Sequence, residues 1–184
     1  MKDYDTTWKK GLDVHSKRYS ITWVRNHVIT RETEKSGILT GKVLDLGCGN
    51  GVRAFIFKPH CKEILGIDAS KFSIDYAQDH FAMDNLIFRV GNILHIPASK
   101  KYFDNAYMLG VIEHILDTTQ LLREINRVVK GHIFISVTEN DYHGDKSHVH
   151  VFNKVNLRNV LSEHFKVEKI YVKDRIIFAK AKTK

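Results

Sequence analysis

The sequence predicts an α/β fold, a three-layer sandwich with helices on both faces of a mostly parallel sheet, and three observations carry that reading. From residue 43 onward, short apolar runs alternate with stretches of helical period, the pattern of repeated strand–helix units. The last two apolar runs, 166–172 and 175–181, are separated only by Lys173 and Asp174, which reads as a hairpin. Five strand–helix units followed by a hairpin predict seven strands in the order 3-2-1-4-5-7-6, with strand 7 antiparallel.

The first five strands are expected over 43–46, 64–68, 86–90, 105–109 and 132–137. The plainest helix follows the fourth: Leu121, Leu122, Ile125, Val128 and Val129 fall at i, i+1, i+4, i+7 and i+8, one apolar face. Asp117 or Thr118 is its expected N-cap, and Gly131 stands just past its end. Asn153 is expected to cap a helix carrying Val155, Leu157, Val160, Leu161 and His164 mostly on one side, and Ser70 one carrying Phe72, Tyr76 and His80. Residues 1–40 differ. They hold Trp8 and Trp23 with Tyr4, Tyr19, His15 and His27, and Ile21, Val24 and Val28 are spaced helically. We expect one or two helices over the sheet, docked by Ile21, Val24 and Val28 or closing as a lid with Tyr19 and Trp23.

The length of 184 residues suits one domain, 1–184, divided into a helical cap at 1–40 and a core at 41–184. An apolar fraction of 43% beside 27% charged residues is that of a globular chain rather than a disordered one. The polar N-terminus and the lack of any apolar run near ~18 residues predict no leader, no membrane span and a cytoplasmic location. Cys48 and Cys61 form neither a disulfide framework nor a CxxC metal pattern, so both are expected as thiols. A net charge of +8 fits a nucleic-acid partner, an anionic small substrate or plain solubility, and the basic residues are scattered rather than gathered in one stripe.

The segment that carries chemistry is Val-Leu-Asp-Leu-Gly-Cys-Gly-Asn-Gly, an apolar strand running into Gly47, Gly49 and Gly51. Glycine permits a sharp turn and the close approach of a ligand to backbone. In an open parallel sheet the first strand-to-helix turn is where ligands bind. A dinucleotide loop reads G-x-G-x-x-G. Here the third glycine comes one place early and Val52 stands where that loop needs glycine, which disfavours a nucleotide-dependent dehydrogenase. A second apolar strand, 64–68, ends in Asp68, 21 residues after Gly47, where a carboxylate can accept both hydroxyl protons of a ribose.

The G-x-G-x-G spacing after Asp45 resembles motif I of the class I S-adenosylmethionine-dependent methyltransferases. The likeness extends through Gly91-Asn92-Ile93, Leu109-Gly110-Val111-Ile112-Glu113-His114 and Val128-Val129-Lys130-Gly131. Asn92 stands where the family usually has Asp, and the last segment lacks the usual proline and one glycine. The resemblance, nearest to the small-molecule, type 11-like domain, implies a Rossmann-like sandwich and S-adenosylmethionine as cofactor. It implies cofactor contacts from Asp45, Gly47, Cys48, Gly49, Gly51, Asp68, Ala69, Asn92, Ile93 and Leu109.

Methyl transfer from a sulfonium is chiefly a matter of alignment, so no catalytic dyad is required. His114, after the fourth strand, is the candidate general base if the acceptor is a hydroxyl; capping or packing is its alternative role. His148 and His150 would face one way if 147–152 is extended. With His143 they show no carboxylate or cysteine at a metal-binding spacing, so no metal is expected. Residues 139–151 are a candidate specificity loop by likeness to the family. No Asn-Pro-Pro-Tyr or Asp-Pro-Pro-Tyr follows the fourth strand, which disfavours a DNA adenine methylase, and 1–40 is too short for an RNA-binding domain. The expected acceptor is therefore a small molecule, weakly favoured as anionic, methylated at oxygen or nitrogen. RNA or protein acceptors and a non-catalytic cofactor-binding protein are the alternatives.

Overall fold

The computed structural model describes residues 18–141 and 144–184, with 18–25 described by their backbone alone. The expectations for Tyr4, Trp8, His15 and His143 lie outside the described residues, and those for the side chains of Tyr19, Ile21, Trp23 and Val24 do likewise. In chain order the elements are α1 (Arg18–Lys35), β1 (Lys42–Leu46), α2 (Val52–Phe57), β2 (Glu63–Asp68), α3 (Lys71–Phe81), β3 (Leu86–Val90) and β4 (Phe103–Leu109). There follow α4 (Thr118–Val128), β5 (Val129–Thr138), α5 (Lys154–His164), β6 (Phe165–Lys173) and β7 (Ile176–Thr183). The sheet order is β3-β2-β1-β4-β5-β7-β6. β1 to β5 pair in parallel, and β7 runs antiparallel to both of its neighbours, as the sequence predicts.

Alternation along the strands sorts the core into two clusters, one per face. Leu44, Leu46, Leu65, Ile67, Ala106, Met108, Ile133 and Ile135 meet α4 and α5 on one side. Val43, Ile64, Tyr107, Leu109 and Phe134 meet α1, α2 and α3 on the other. The apolar face of α4 behaves as its period requires: Leu121, Leu122, Ile125 and Val128 are completely buried, each burial stabilising by about 1.5–3 kcal/mol. Its N-cap is Asp117, whose side chain accepts a bond from Gln120 N at 2.8 Å. Ser70 caps α3 and Asn153 caps α5 through a full capping box. On α3 the core side is Ser73, Ile74 and Ala77. Tyr76 and His80 instead stack on each other, 3.9 Å between ring centres. On α5, Leu157 and Leu161 are the buried pair, while Val155 stands exposed.

Three details differ from expectation. Gly131 does not end α4, which runs directly into β5; it lies within that strand, where a Cβ would run into the carbonyl oxygen of Asp104. The β6–β7 turn is Asp174-Arg175 rather than Lys173-Asp174. Both turn residues have positive φ, 50° and 62°, as a primed two-residue turn demands, and Lys173 is the last ladder residue, paired with Ile176. Finally, β3 is followed by no helix. Residues 91–102 are held against α4 instead: Ile96 N donates to Glu124 Oε1 at 2.6 Å, and Arg127 donates to the carbonyls of Ile96 and Ala98 at 2.8 and 2.7 Å.

The C-terminal half of α1 is docked on the sheet by Ile29, Thr33 and Glu32, all buried, with Val28 packed beside them. Tyr171 OH and Lys173 Nζ both donate to the Glu32 carboxylate at 2.7 Å. The bond from Lys173 holds that carboxyl below its ordinary range, outweighing the opposing effect of burial. At the helix's other side, Arg53 on α2 donates to Asn26 Oδ1 at 2.5 Å. Among the described residues no helix is long and apolar enough to cross a membrane.

Candidate cofactor turn and acceptor-side cluster

β1 ends in a turn that is bonded through backbone to the end of β2. Gly47 N and Cys48 N both donate to the Ile67 carbonyl, at 2.8 and 3.1 Å. Gly47 has φ of 72°, and a Cβ there would stand 2.5 Å from Val111 Cγ2, so the turn and the segment after β4 approach as closely as backbone allows. Gly51 serves packing: its Cβ would meet Ala77 and Phe88 at 2.8 Å, where α2 crosses α3 and β3. The amide of Gly49 donates to Asp68 Oδ2 at 2.8 Å, and Ser70 N donates to Asp68 Oδ1 at 2.9 Å. The carboxylate predicted from its distance along the chain is thus bonded to the middle of the glycine turn.

Gly91 N donates to the Asp68 carbonyl at 2.9 Å, which places Asn92 beside the same strand end. Asn92 is exposed and its Oδ1 accepts from Leu94 N at 2.9 Å. Ala69 is exposed, whereas Ile93 and Leu109 are buried at the carboxyl ends of β3 and β4. The carboxyl ends of four adjacent strands therefore gather Gly47, Gly49, Asp68, Ala69, Asn92, Ile93 and Leu109. Asp45 and Cys48 stand differently. Asp45 is 3% exposed beneath the turn, where Tyr107 OH donates to its Oδ2 at 2.9 Å. Burial pushes its pKa up to about 7, against the opposing Tyr107 bond and the charge of Arg53. Burial likewise holds the Cys48 thiol well above its ordinary range, so it is not a nucleophile at neutral pH.

Beyond β4 the chain makes a short 3-10 turn, Ile112–His114, whose Glu113 is 1% exposed. The Glu113 carbonyl accepts from both Val149 N and His150 N, at 2.8 and 3.2 Å, pinning the loop after β5 to this turn. Its carboxylate Oε1 accepts from Thr138 N at 3.5 Å. His114 Nδ1 donates to the Ser147 carbonyl at 3.3 Å and to Ser147 Oγ at 3.1 Å; that hydroxyl donates on to Asp145 Oδ1 at 2.7 Å. His148 Nδ1 donates to Asp141 Oδ1 at 2.6 Å. The His114 and His148 rings meet edge to face, 4.8 Å between centres. One ligand-type atom each from Glu113, His114 and His148 lies within 4.8 Å of the others.

Sequence reasoning had placed His148 with its loop neighbours His143 and His150, and there it found no metal-binding pattern. Ser147 lies in a turn and Val149 in a bend, so the segment is not extended, and His150 departs to donate to the Leu116 carbonyl at 3.3 Å. The missing carboxylate and second imidazole come from the Glu-His step after β4. That dipeptide was the signal available, but nothing in the spacing says which loop will fold over it.

Comparison with known proteins gives the family and the fold. A family model described as a methyltransferase domain matches residues 44–135, half of the chain. A tRNA U34 carboxymethyltransferase of Campylobacter curvus is 32% identical over 115 residues, covering 58% of this chain and 38% of that protein. The uncharacterized methyltransferase YcgJ of Bacillus subtilis is 32% identical over 93 residues, covering 48% and 36%. The chain spans roughly a third to a half of the length of the curated relatives it matches. Among solved structures, PH0226 protein of Pyrococcus horikoshii superimposes over 100% of both chains with a TM-score of 0.78 at 23% identity, a likeness of fold. A Haloferax volcanii complex of the Trm112 methyltransferase activator with a methyltransferase gives 0.69 at 14% identity, covering 77% of this chain and 81% of that one.

Proposed function

The chain belongs to the methyltransferase domain family, and from that premise we propose that it transfers a methyl group from S-adenosylmethionine to a small-molecule acceptor at oxygen or nitrogen. The observation that carries the reading is the Asp68 carboxylate bonded to the Gly49 amide at 2.8 Å, a ribose-accepting group fixed on a glycine turn. When bound, the cofactor supplies a sulfonium methyl that moves to the acceptor while the C–S electron pair stays on sulfur. The chain's part is positional. Gly47, Cys48 and Gly49 offer a close-approach backbone that Gly51 supports by letting α2 pack on α3 and β3, Asp68 accepts the ribose hydroxyls, and Ala69, Asn92 and Ile93 border the adenine. Leu109 closes the turn toward the acceptor, and Asp45 supports it from below. His114 stands on the acceptor side with its Nδ1 proton committed to Ser147, which leaves the lone pair on Nε2. That lone pair can take a proton from a hydroxyl or bind a cation, and its neighbours favour the second.

Calorimetry with S-adenosylhomocysteine tests the reading: one site is expected, and Asp68→Ala should weaken it by about 1.5–3 kcal/mol through loss of charged hydrogen bonds. Absence of binding by the wild-type chain overturns the proposal; unchanged affinity in a folded Asp68→Ala protein removes Asp68 from the site. An RNA acceptor is a second reading, favoured by the net charge of +8 and by the tRNA-modifying relative. Binding of RNA with an affinity that falls steeply with salt supports it, and no such binding excludes it.

A further inference from the structure

We propose that Glu113, His114 and His148 hold one divalent first-row transition cation, and that an acceptor hydroxyl completes its coordination. The inference rests on the methyltransferase reading for the identity of the acceptor step, but the cation site itself stands on side-chain geometry. Ligands about 2.1 Å from a common ion stand about 3–3.5 Å apart. One ligand-type atom from each residue already lies within 4.8 Å of the others, close enough for side-chain rotation to bring the set onto one ion.

Two imidazoles and one carboxylate suit zinc, manganese, iron or cobalt better than calcium or magnesium, and they leave coordination positions open. The surroundings fit as well. A metal-binding histidine characteristically donates its other ring proton to a carboxylate or carbonyl, which fixes the tautomer and raises the basicity of the ligating nitrogen. Both rings here do so through Nδ1: His148 to Asp141 at 2.6 Å, and His114 to the Ser147 carbonyl at 3.3 Å, with the Ser147 hydroxyl relaying to Asp145. Each ring thereby carries its lone pair on Nε2.

Burial adds a further reason. Glu113 is 1% exposed and the His148 side chain 7% exposed, so two of the three groups converge out of bulk water, where a cation gains most from direct ligation. The two segments are held in register by backbone, since Val149 N and His150 N both end on the Glu113 carbonyl. The loop that carries His148 is therefore tied through backbone to the turn that carries Glu113 and His114.

Val111, which packs onto Gly47, is two residues before Glu113, so the cluster borders the cofactor turn on the side opposite Asp68. A hydroxyl bound to a cation there loses its proton to water, as metal-bound water does near neutral pH. The resulting alkoxide or phenolate oxygen forms the O–CH3 bond as the C–S bond breaks. This assigns His114 to the cation and the acceptor to the hydroxyl class.

The test uses tag-free full chain stripped with a chelator and titrated with Co(II), read by its visible d–d absorption, and with Zn(II), read by metal content after gel filtration. One equivalent of each is expected. His148→Ala should weaken Co(II) binding at least 100-fold, and Asp141→Asn, which removes only the supporting carboxylate, about 10- to 100-fold. Asp68→Ala should weaken S-adenosylhomocysteine binding about 10- to 100-fold yet keep the cobalt spectrum, and His148→Ala should weaken cobalt binding yet keep that of S-adenosylhomocysteine. Glu113→Gln is included, but the two loop variants decide the matter if that buried change unfolds the chain. No stoichiometric cobalt binding by wild type, or equal binding by His148→Ala, overturns the cation site. Loss of S-adenosylhomocysteine binding by wild type with cobalt binding intact overturns only the reading on which the acceptor step rests.

Discussion

At the glycine turn the chain works with backbone: amides of residues 47, 48 and 49 are directed to one carbonyl and one carboxylate, and the critical side chains are hydrogen atoms. Across Val111, by contrast, the acceptor-side cluster is made of side chains from two loops, with His114 and Ser147 separated by 33 positions. The glycines of the first site are damaged by adding atoms, and the second site is damaged by removing them. The first also leaves a pattern in the sequence, because only glycine tolerates it. The second leaves only the Glu113-His114 step, because nothing in the spacing says which loop will bring His148 beside it.

The largest effect that could break this contrast is expected from Gly49→Val. Its φ of 54° strains any β-branched residue, and the amide bond to Asp68 would be displaced. S-adenosylhomocysteine binding should fall at least about 100-fold while far-ultraviolet circular dichroism and cobalt binding persist. Normal cofactor binding by this variant would mean that the ligand does not lie over the turn.

A medium effect probes the one side chain that supports the turn from beneath. With Asp45 raised from 3.8 to about 7, the folded chain binds more protons than the unfolded chain between those values, so stability falls as pH rises through that window. Asp45→Asn removes the charge and keeps an acceptor for Tyr107. It should raise stability by about 1–3 kcal/mol at pH 8.5. The gain should shrink as pH drops from 7 toward 3.8 and vanish below. Denaturant melts across pH check this, and a gain independent of pH would disprove the titration.

The smallest effect sharpens the comparison by lying outside both ends. Asp117→Ala removes the N-cap of α4 and should cost about 1 kcal/mol of stability without altering cofactor or cobalt affinity. A change in either affinity would show that the cap also positions the cluster, whose nearest member, His114, stands only three residues earlier.

Legibility from sequence follows the same division. The sheet order, the caps at Ser70, Asp117 and Asn153 and the pairing of Asp68 with the glycine turn were readable because each depends on local chemistry at fixed spacing. Helix after β3 was expected by analogy with its neighbours, but Arg127 and Glu124 on α4 hold that segment instead, a long-range arrangement no local pattern encodes. Gly131 looked like a helix stop because glycine serves that role so often; here it makes room for a neighbouring strand's carbonyl. Of the cap's expected docking residues, Val28 packs against the core, while the side chains of Ile21 and Val24 lie outside the described residues. The described anchors are Ile29, Glu32 and Thr33, and one of them is a charged residue whose partner lysine is unrecognisable at such a distance.

That charged anchor has a bearing on how the molecule is made. Glu32 reaches its two partners, Tyr171 and Lys173, across 139 and 141 residues. During synthesis the helix carrying it emerges early, but the groups that receive it emerge only with the hairpin, after the whole parallel sheet has had time to assemble. Contacts of such separation form slowly and late. Asn26 on the same helix is bonded to Arg53, two residues beyond the last glycine of the turn. The helix can therefore lean on Arg53 beside the cofactor turn early, but its Glu32 anchor is completed only once residue 173 has been made.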